Sequence, residues 1–282
     1  MGARCAELRR CCECICCKYG FSLSGEGVED AICDSDAMRR FVGVDFFAEE
    51  APDATTLLKF RHLPEKHKIG ENIFADVRER LVAAGVMMQG GTIVDATIIH
   101  APSSTKDKTG KRTPEMHQVK KGNEWHFGMK VHVGVDAGTG YVHTITGTAA
   151  NGHDSQQAHK LTRKGEDEVM YGDSGYPGVD RQQVVREDPD LSKVEFRINK
   201  RPTGVKEKGN GINREQLMEK GKSSARSKVE HLFLIVKRQF GYSKVVYRGL
   251  AKNMNRFNIL FACANLLMCA RAGRSLAPIV PA

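Results

Sequence analysis

A chain of 282 residues, 40% of them hydrophobic, is long enough to bury a sizeable core in one large domain or two modest ones, which excludes disorder throughout. Its 43 Lys and Arg against 34 Asp and Glu leave a net charge of +9 and favour a polyanionic partner, nucleic acid first. No apolar run approaches the roughly 18 to 20 residues of a membrane span, and the start has neither an h-region nor a cleavage site, so a cytoplasmic protein without a membrane partner is expected.

Cys5, Cys11, Cys12, Cys14, Cys16 and Cys17 crowd the start, and only Cys33, Cys263 and Cys269 follow. That distribution suggests no even disulfide framework. Cys11, Cys14 and Cys17 fit a C-x2-C-x2-C spacing that can ligate zinc or an iron-sulfur cluster, but no fourth ligand follows at the expected spacing. A reduced, poorly ordered or anomalous N-terminus is the expectation.

From Ser24 to about Met88 the pattern is helical. Ser24 caps a helix carrying Val28 and Ile32, Asp34 or Ser35 caps the next, with Met38 and Val42, and Asp53 caps a third that Pro64 ends. Ile69, Ile73, Phe74, Val77 and Leu81 mark a longer amphipathic helix. Arg39, Arg40, Lys59, Arg61 and His62 face either DNA phosphates or solvent. The expected division is a helical, DNA-binding subdomain over 1–88 and an α/β domain over 89–282.

At Gly90 the texture changes to strand. GGTIVDATIIHAP, 90–102, is β-branched and groups Ile93, Asp95, Thr97 and Ile99 on one face. A carboxylate among isoleucines needs a hydrogen-bond partner or a cation, unless it faces solvent on an edge strand. Ser103 to Glu124 is polar and basic and reads as an exposed loop. His126–Val135 and Tyr141–Thr148 form a hairpin, Asp154 with Gln157 resembles a capping box opening a helix, and Glu168–Gly172 is a fourth strand. A short helix and a fifth strand, Val194–Ile198, follow. A Gly-rich basic linker over 200–222 leads to helices over 224–239 and 254–271.

Three stretches carry candidate chemistry. Asp95 is the first acid, and Asp173 in VMYGDSGYP, directly after the fourth strand, is the second. GDSG with TAANGH also echoes a serine protease, but His153 and Ser174 lie too close in sequence for that fold, and the third glycine is Tyr176. In RSKVEHLFLIVK, Arg226, Glu230 and Lys237 lie along one helical line, which is either a functional row or a surface ion-pair face.

The order of these acids and strands resembles the ribonuclease H-like fold: a mixed five-stranded sheet flanked by helices, with a small N-terminal all-α subdomain. DAMRRFVGVD, PDATTLLKFRH, TIVDATII, APSSTKDK, KKGNEWHFGMK, TAANGHDS, YGDSGY, RSKVEH, IVKRQFGY and VYRGLAKN occur in the order seen in bacterial insertion-sequence transposases of the DDE class, and the chain most resembles the insertion-sequence-5 type of the insertion-sequence-4 superfamily. The resemblance covers nearly everything after about Gly20 and implies Asp95, Asp173 and Glu230 as a metal-binding catalytic triad. It implies DNA-phosphate contacts from Arg226 and Lys237, to which the basic stretches add Lys120, Lys121 and Lys130. Two departures stand out: Ser223 replaces a signature Tyr, and the Cys-rich start replaces the expected N-terminal helices.

The family pattern implies two Mg2+ or Mn2+ ions about 3.5 to 4 Å apart that serve end cleavage and 3'-OH strand transfer. It implies double-stranded DNA as partner, both inverted-repeat ends and target, a homodimer in the synaptic complex, and a nucleoid-associated place in the bacterial cytoplasm. Trp125, the single Trp, is expected in the core, the alternative being a stack on an unpaired base. His153 and Asp154 border the expected site. The competing readings are an N-terminally truncated, catalytically impaired DNA-binding remnant, and a nuclease that cuts without joining.

Overall fold

The computed structural model describes residues 2–45, 50–60, 67–88, 90–102, 113–199, 227–274 and 276, with side chains from residue 9 onward. Its N-terminal part is helical: α1 Gly2–Gly20, α2 Gly25–Asp34, α3 Asp36–Val42, α4 Ala54–Phe60 and α5 Ile69–Ala83. Three expected caps form. Ser24 and Ser35 accept from the amides of Gly27 and Met38, and Asp53 Oδ1 accepts from Thr56 N at 2.5 Å.

The Cys-rich start is a helix, which corrects the expectation of a poorly ordered segment. Cys behaves there as a small hydrophobe. Cys11, Ile15 and Tyr19, one helical turn apart, pack into the main core, while Cys14 and Cys17 pack with Val28, Ile32 and Leu57 of the N-terminal helices. Burial raises the Cys14 thiol to about 12 and holds it protonated. Among the described residues, no three His, Cys, Asp or Glu stand close enough to hold a metal ion.

The sheet contains β1 Gly91–His100, β2 His117–Lys121, β3 Glu124–Asp136, β4 Val142–Ala149, β5 Val169–Gly172 and β6 Glu195–Ile198. Their order is β2-β3-β1-β5-β6, with β4 also on β3. β1 pairs antiparallel with β3 and parallel with β5, and β5 is parallel to β6. All five expected strands are present. The sixth, β2, corrects the expected loop: His117–Lys121 has little strand character of its own but pairs with the first half of β3, and Gly122 takes the positive φ of 63° needed by the two-residue turn between them. Residues 103–112 of that expected loop, and the linker over 200–222, lie outside the described residues.

After β4, the stretch from Asp154 starts as a 3-10 turn, Asp154–Gln157, before the short helix α6, Ala158–Leu161. The expected capping box does not form, because the Asp154 carboxylate turns to Lys130 instead. α7, Gln183–Glu187, precedes β6. Helix α8 spans 227–234 and continues as a π-helical turn, Ile235–Gln239, and α9, Leu250–Arg271, closes the fold.

Alternation splits the core across the sheet. Ile93, Ile99, Met129, Val131 and Val133 meet Val229, Leu232, Val236 and the apolar side of α9 on one face. Val94 and Met170 meet Leu161, Tyr176, Val179 and Leu191 on the other. α1 and α5, both within the expected N-terminal subdomain, pack into the first of these cores. Where α5 crosses α9, a Cβ on Gly70 would stand 2.5 Å from the Asn255 backbone oxygen, so only glycine allows the approach. Among the described residues no helix is long and apolar enough to cross a membrane.

Candidate catalytic site

β1 and β5 lie side by side, and their ladder ends with Ile93 opposite Tyr171. Continued by two residues, this register sets Asp173, which directly follows β5, level with Asp95 on β1. Alternation turns Asp95 toward the sheet face of Ile93, the face covered by α8, whereas Asp173 lies past the end of β5, where its carboxylate borders Gly175 and Asp154. Asp95 is half-buried, and its Oδ1 accepts from Ala96 N at 2.7 Å. Asp173 Oδ1 accepts from Gly175 N at 2.8 Å.

Gly175 keeps this corner open. A Cβ on it would stand 2.8 Å from Asp173 Oδ1 and 3.5 Å from Asp154 Oδ2, so a second acid borders Asp173. Asp154 in turn receives Lys130 Nζ at 2.9 Å, and the same ammonium donates to Gly152 O at 2.9 Å. The Lys130 side chain is only 13% exposed. Lys130, expected on a DNA phosphate, pairs in this structure with Asp154. The buried His132 ring lies 3.8 Å from the same carboxylate and meets Thr148 Oγ1 at 2.8 Å. Burial outweighs the pull of Asp154 and lowers the His132 pKa to about 4, so the ring is neutral.

Glu230 sits on α8 beside the buried Val229 and is itself exposed. Asp95, Asp173 and Glu230 are therefore not gathered into one ligand set in this conformation. Arg226 lies outside the described residues. Lys237 falls in the π-helical turn, a backbone irregularity frequent at functional sites, and is half-buried. Burial and the charge of Lys121 hold its ammonium below the usual lysine range.

A basic patch surrounds Lys237 at the far end of β1. His100, the last residue of β1, is lowered by burial and then by His126, Lys237 and Lys244, so these groups share one field. His100 and His126 rings lie 5.1 Å apart, and Lys244 bridges to His100 through the backbone. Lys120 and Lys121 stand exposed on the adjoining β2. The sequence reading missed His100, His126 and Lys244, for which the signal was their flanking of strand ends in HAP, EWHFG and YSKVV. Trp125, expected in the core, is 66% exposed.

The molecule is thus a mixed α/β protein with one acid in the middle of β1, a second directly after the adjoining β5, and a basic patch at the far end of β1. Its residues 87–266 match the family described as transposase DDE domain, and residues 1–63, the Cys-rich start included, match the one described as transposase domain (DUF772). The chain belongs to the DDE transposases, a family that implies DNA binding and transposition activity and generally uses divalent metal ions. A piggyBac transposase, solved by cryo-electron microscopy as a synaptic complex with hairpin DNA, is a distant likeness at 12% identity and a TM-score of 0.47. That match covers 95% of this chain and 67% of the other.

Proposed function

We propose that this chain is a transposase of the insertion-sequence-5 type, which cleaves the ends of its element and joins the freed 3'-OH to target DNA as a homodimer in a synaptic complex. The observation that carries the reading is the parallel pairing of β1 with β5, whose ladder ends at Ile93 and Tyr171, two residues before Asp95 and Asp173 respectively. The strand order, with an antiparallel arm on one side of β1 and β5-β6 parallel on the other, supports a ribonuclease H-like sheet. In functional terms we divide the chain into a DNA-recognising helical part, 1–88, and a catalytic part, 89–282, although α1 and α5 share the catalytic core.

Asp95 and Asp173 offer hard oxygen donors and no thiol or imidazole, which fits Mg2+ or Mn2+ better than zinc. Glu230 is the third carboxylate, and its exposure leaves the side chain room to turn toward them. Bound there, two divalent ions supply Lewis acidity for activating an attacking oxygen and steadying a leaving one. The chain's own residues hold the geometry. β1 and the Ala96 amide orient Asp95, the Gly175 amide orients Asp173, and Lys130 neutralises Asp154 behind it. Lys120, Lys121, Lys237 and Lys244, with Arg226, hold backbone phosphates.

Asp95→Asn, Asp173→Asn and Glu230→Gln are each expected to abolish Mg2+-dependent end cleavage while gel-shift binding of the same DNA survives. Normal cleavage by any of the three overturns the triad. Wild-type protein that binds DNA but neither cuts nor joins it is instead the noncatalytic remnant, and nicking without joined product marks a plain nuclease.

A further inference from the structure

The single Trp of the chain is held out in solvent on a rigid element. Trp125 is the second residue of β3, 66% exposed, directly across the ladder from Lys120. The two-residue turn at Gly122 and Asn123 leaves this hairpin little freedom. Trp125 and Lys120 project from the same sheet face, because directly paired residues share a face. Two residues further along β3, Phe127 already packs against the core, so the indole extends the apolar face beyond the point where α8 and α9 cover it.

The surroundings decide what fits. No other large hydrophobic of the hairpin is exposed, which makes this a poor protein-docking face: its exposed neighbours are Lys120, Gly122, Asn123 and Glu124. Lys120 faces the indole across the ladder, and Lys121, next along β2, lies within the field of Lys237, so the strand pair that carries the indole is cationic. An exposed aromatic plane beside cations suits a nucleobase whose phosphates the lysines hold. In intact duplex the base faces are already stacked on one another, leaving edges and phosphates as contacts.

We infer that Trp125 stacks on an unpaired base at an open DNA end, with Lys120 and Lys121 holding the flanking phosphates. This rests on the transposase reading and adds to it an end-binding residue outside the carboxylate site. The contact favours unpaired over paired termini, since an unpaired base can be splayed out to lie flat on the indole, whereas a duplex terminus offers only the outer face of its last pair.

The lone Trp is its own reporter. Full-length protein is titrated, with tryptophan emission recorded, against a blunt duplex, the same duplex with a short single-stranded extension, and that extension built from abasic nucleotides. The expected result is strong quenching by the base-bearing extension alone. Trp125→Ala is expected to weaken gel-shift affinity for the extended duplex by about 5- to 150-fold, the range of one base-aromatic stack, and to leave blunt-duplex affinity unchanged. Trp125→Phe retains most of that preference, and the exposed position keeps both variants folded, as a thermal melt verifies.

Equal quenching by all three DNAs, unchanged affinity in Trp125→Ala, or concentration-dependent quenching without DNA overturns the inference. Asp95→Asn separates it from the parent reading. Quenching retained with cleavage lost supports both; retained cleavage with base-dependent quenching sinks the triad and leaves the stack; cleavage lost with no quenching sinks the stack alone. Absence of DNA binding sinks both.

Discussion

Asn265, fully buried on α9, does the work of a neighbouring strand. Among the described residues β4 pairs only with β3, and at Val142 its outer edge is met by one side chain: Asn265 Oδ1 accepts from Val142 N at 2.9 Å and Asn265 Nδ2 donates to Val142 O at 2.8 Å. Both partners are buried, so a leucine at 265 leaves an amide and a carbonyl unpaired away from water. At about 1 to 3 kcal/mol each, the two stranded groups cost roughly 2 to 6 kcal/mol, from which leucine's extra apolar burial recovers on the order of 1 to 2. The net expectation for Asn265→Leu is about 3 kcal/mol, a large fraction of the roughly 5 to 15 kcal/mol that a domain has. Asn258, on the same helix and nearly as buried, is the internal control: its Nδ2 bonds only Met254 O, one turn back within α9, so Asn258→Leu is expected to cost less than about 1 kcal/mol. Urea unfolding followed by circular dichroism reads both, as a fall in midpoint at constant slope. A cost for Asn265→Leu no greater than that for Asn258→Leu refutes the edge-pairing argument.

Gly175→Ala places a methyl 2.8 Å from Asp173 Oδ1, and because the colliding atom is the end of a side chain, the carboxylate moves while the backbone stays. End cleavage is expected to fall on the order of 100-fold with a melting temperature close to wild type; unchanged cleavage argues against Asp173 as a reacting carboxylate. His132 and His143 predict the acid limb of stability. Burial lowers both below 6.5, His132 to about 4, so the unfolded chain takes up protons that the native state refuses. Stability is complete above about pH 6.5 and falls below it, by about 2 kcal/mol from His132 alone by about pH 5. Flat urea midpoints between those pH values count against buried neutral rings. Exposed Cys33 is expected to be alkylated by iodoacetamide well before Cys14, whose thiol is buried and raised to about 12; equal rates by peptide mass spectrometry contradict the packing of α1.

What was legible in the chain followed from local chemistry. Ser24, Ser35 and Asp53 cap helices because a side-chain oxygen meets an adjacent amide, and β1 is a strand because its β-branched run leaves little else. The order of Asp95 and Asp173 was legible because their strands are. β2 was not, since HQVKK acquires strand geometry only from the free half of β3 beside it, a tertiary effect that overrides propensity. The spacing of the α1 cysteines suggests ligation, whereas their burial in two apolar cores shows packing. Residue type alone puts Trp125 in the core, and neither composition nor spacing shows that an indole lies past the edge of its helix cover or that the Lys130 ammonium turns inward to Asp154.

The same distinction explains how a chain with a net charge of +9 can present acids to a polyanion. Its excess positive charge does not act uniformly. Lys130 is spent on Asp154, which removes one negative charge from the immediate neighbourhood of Asp173 at the cost of one cation from the surface. Lys121, Lys237 and Lys244 instead gather at the far end of β1, in a field that Glu124 offsets only in part. On the proposed reading, a DNA backbone held by that patch would lie along the strand that carries Asp95, so that binding energy gathered at one end of β1 would help to hold a phosphate against the acid near its middle. Salt therefore separates the two functions: binding should weaken steeply with ionic strength through the exposed lysines, whereas the Lys130–Asp154 pair, mostly shielded from solvent, should persist and keep the acidic corner in shape.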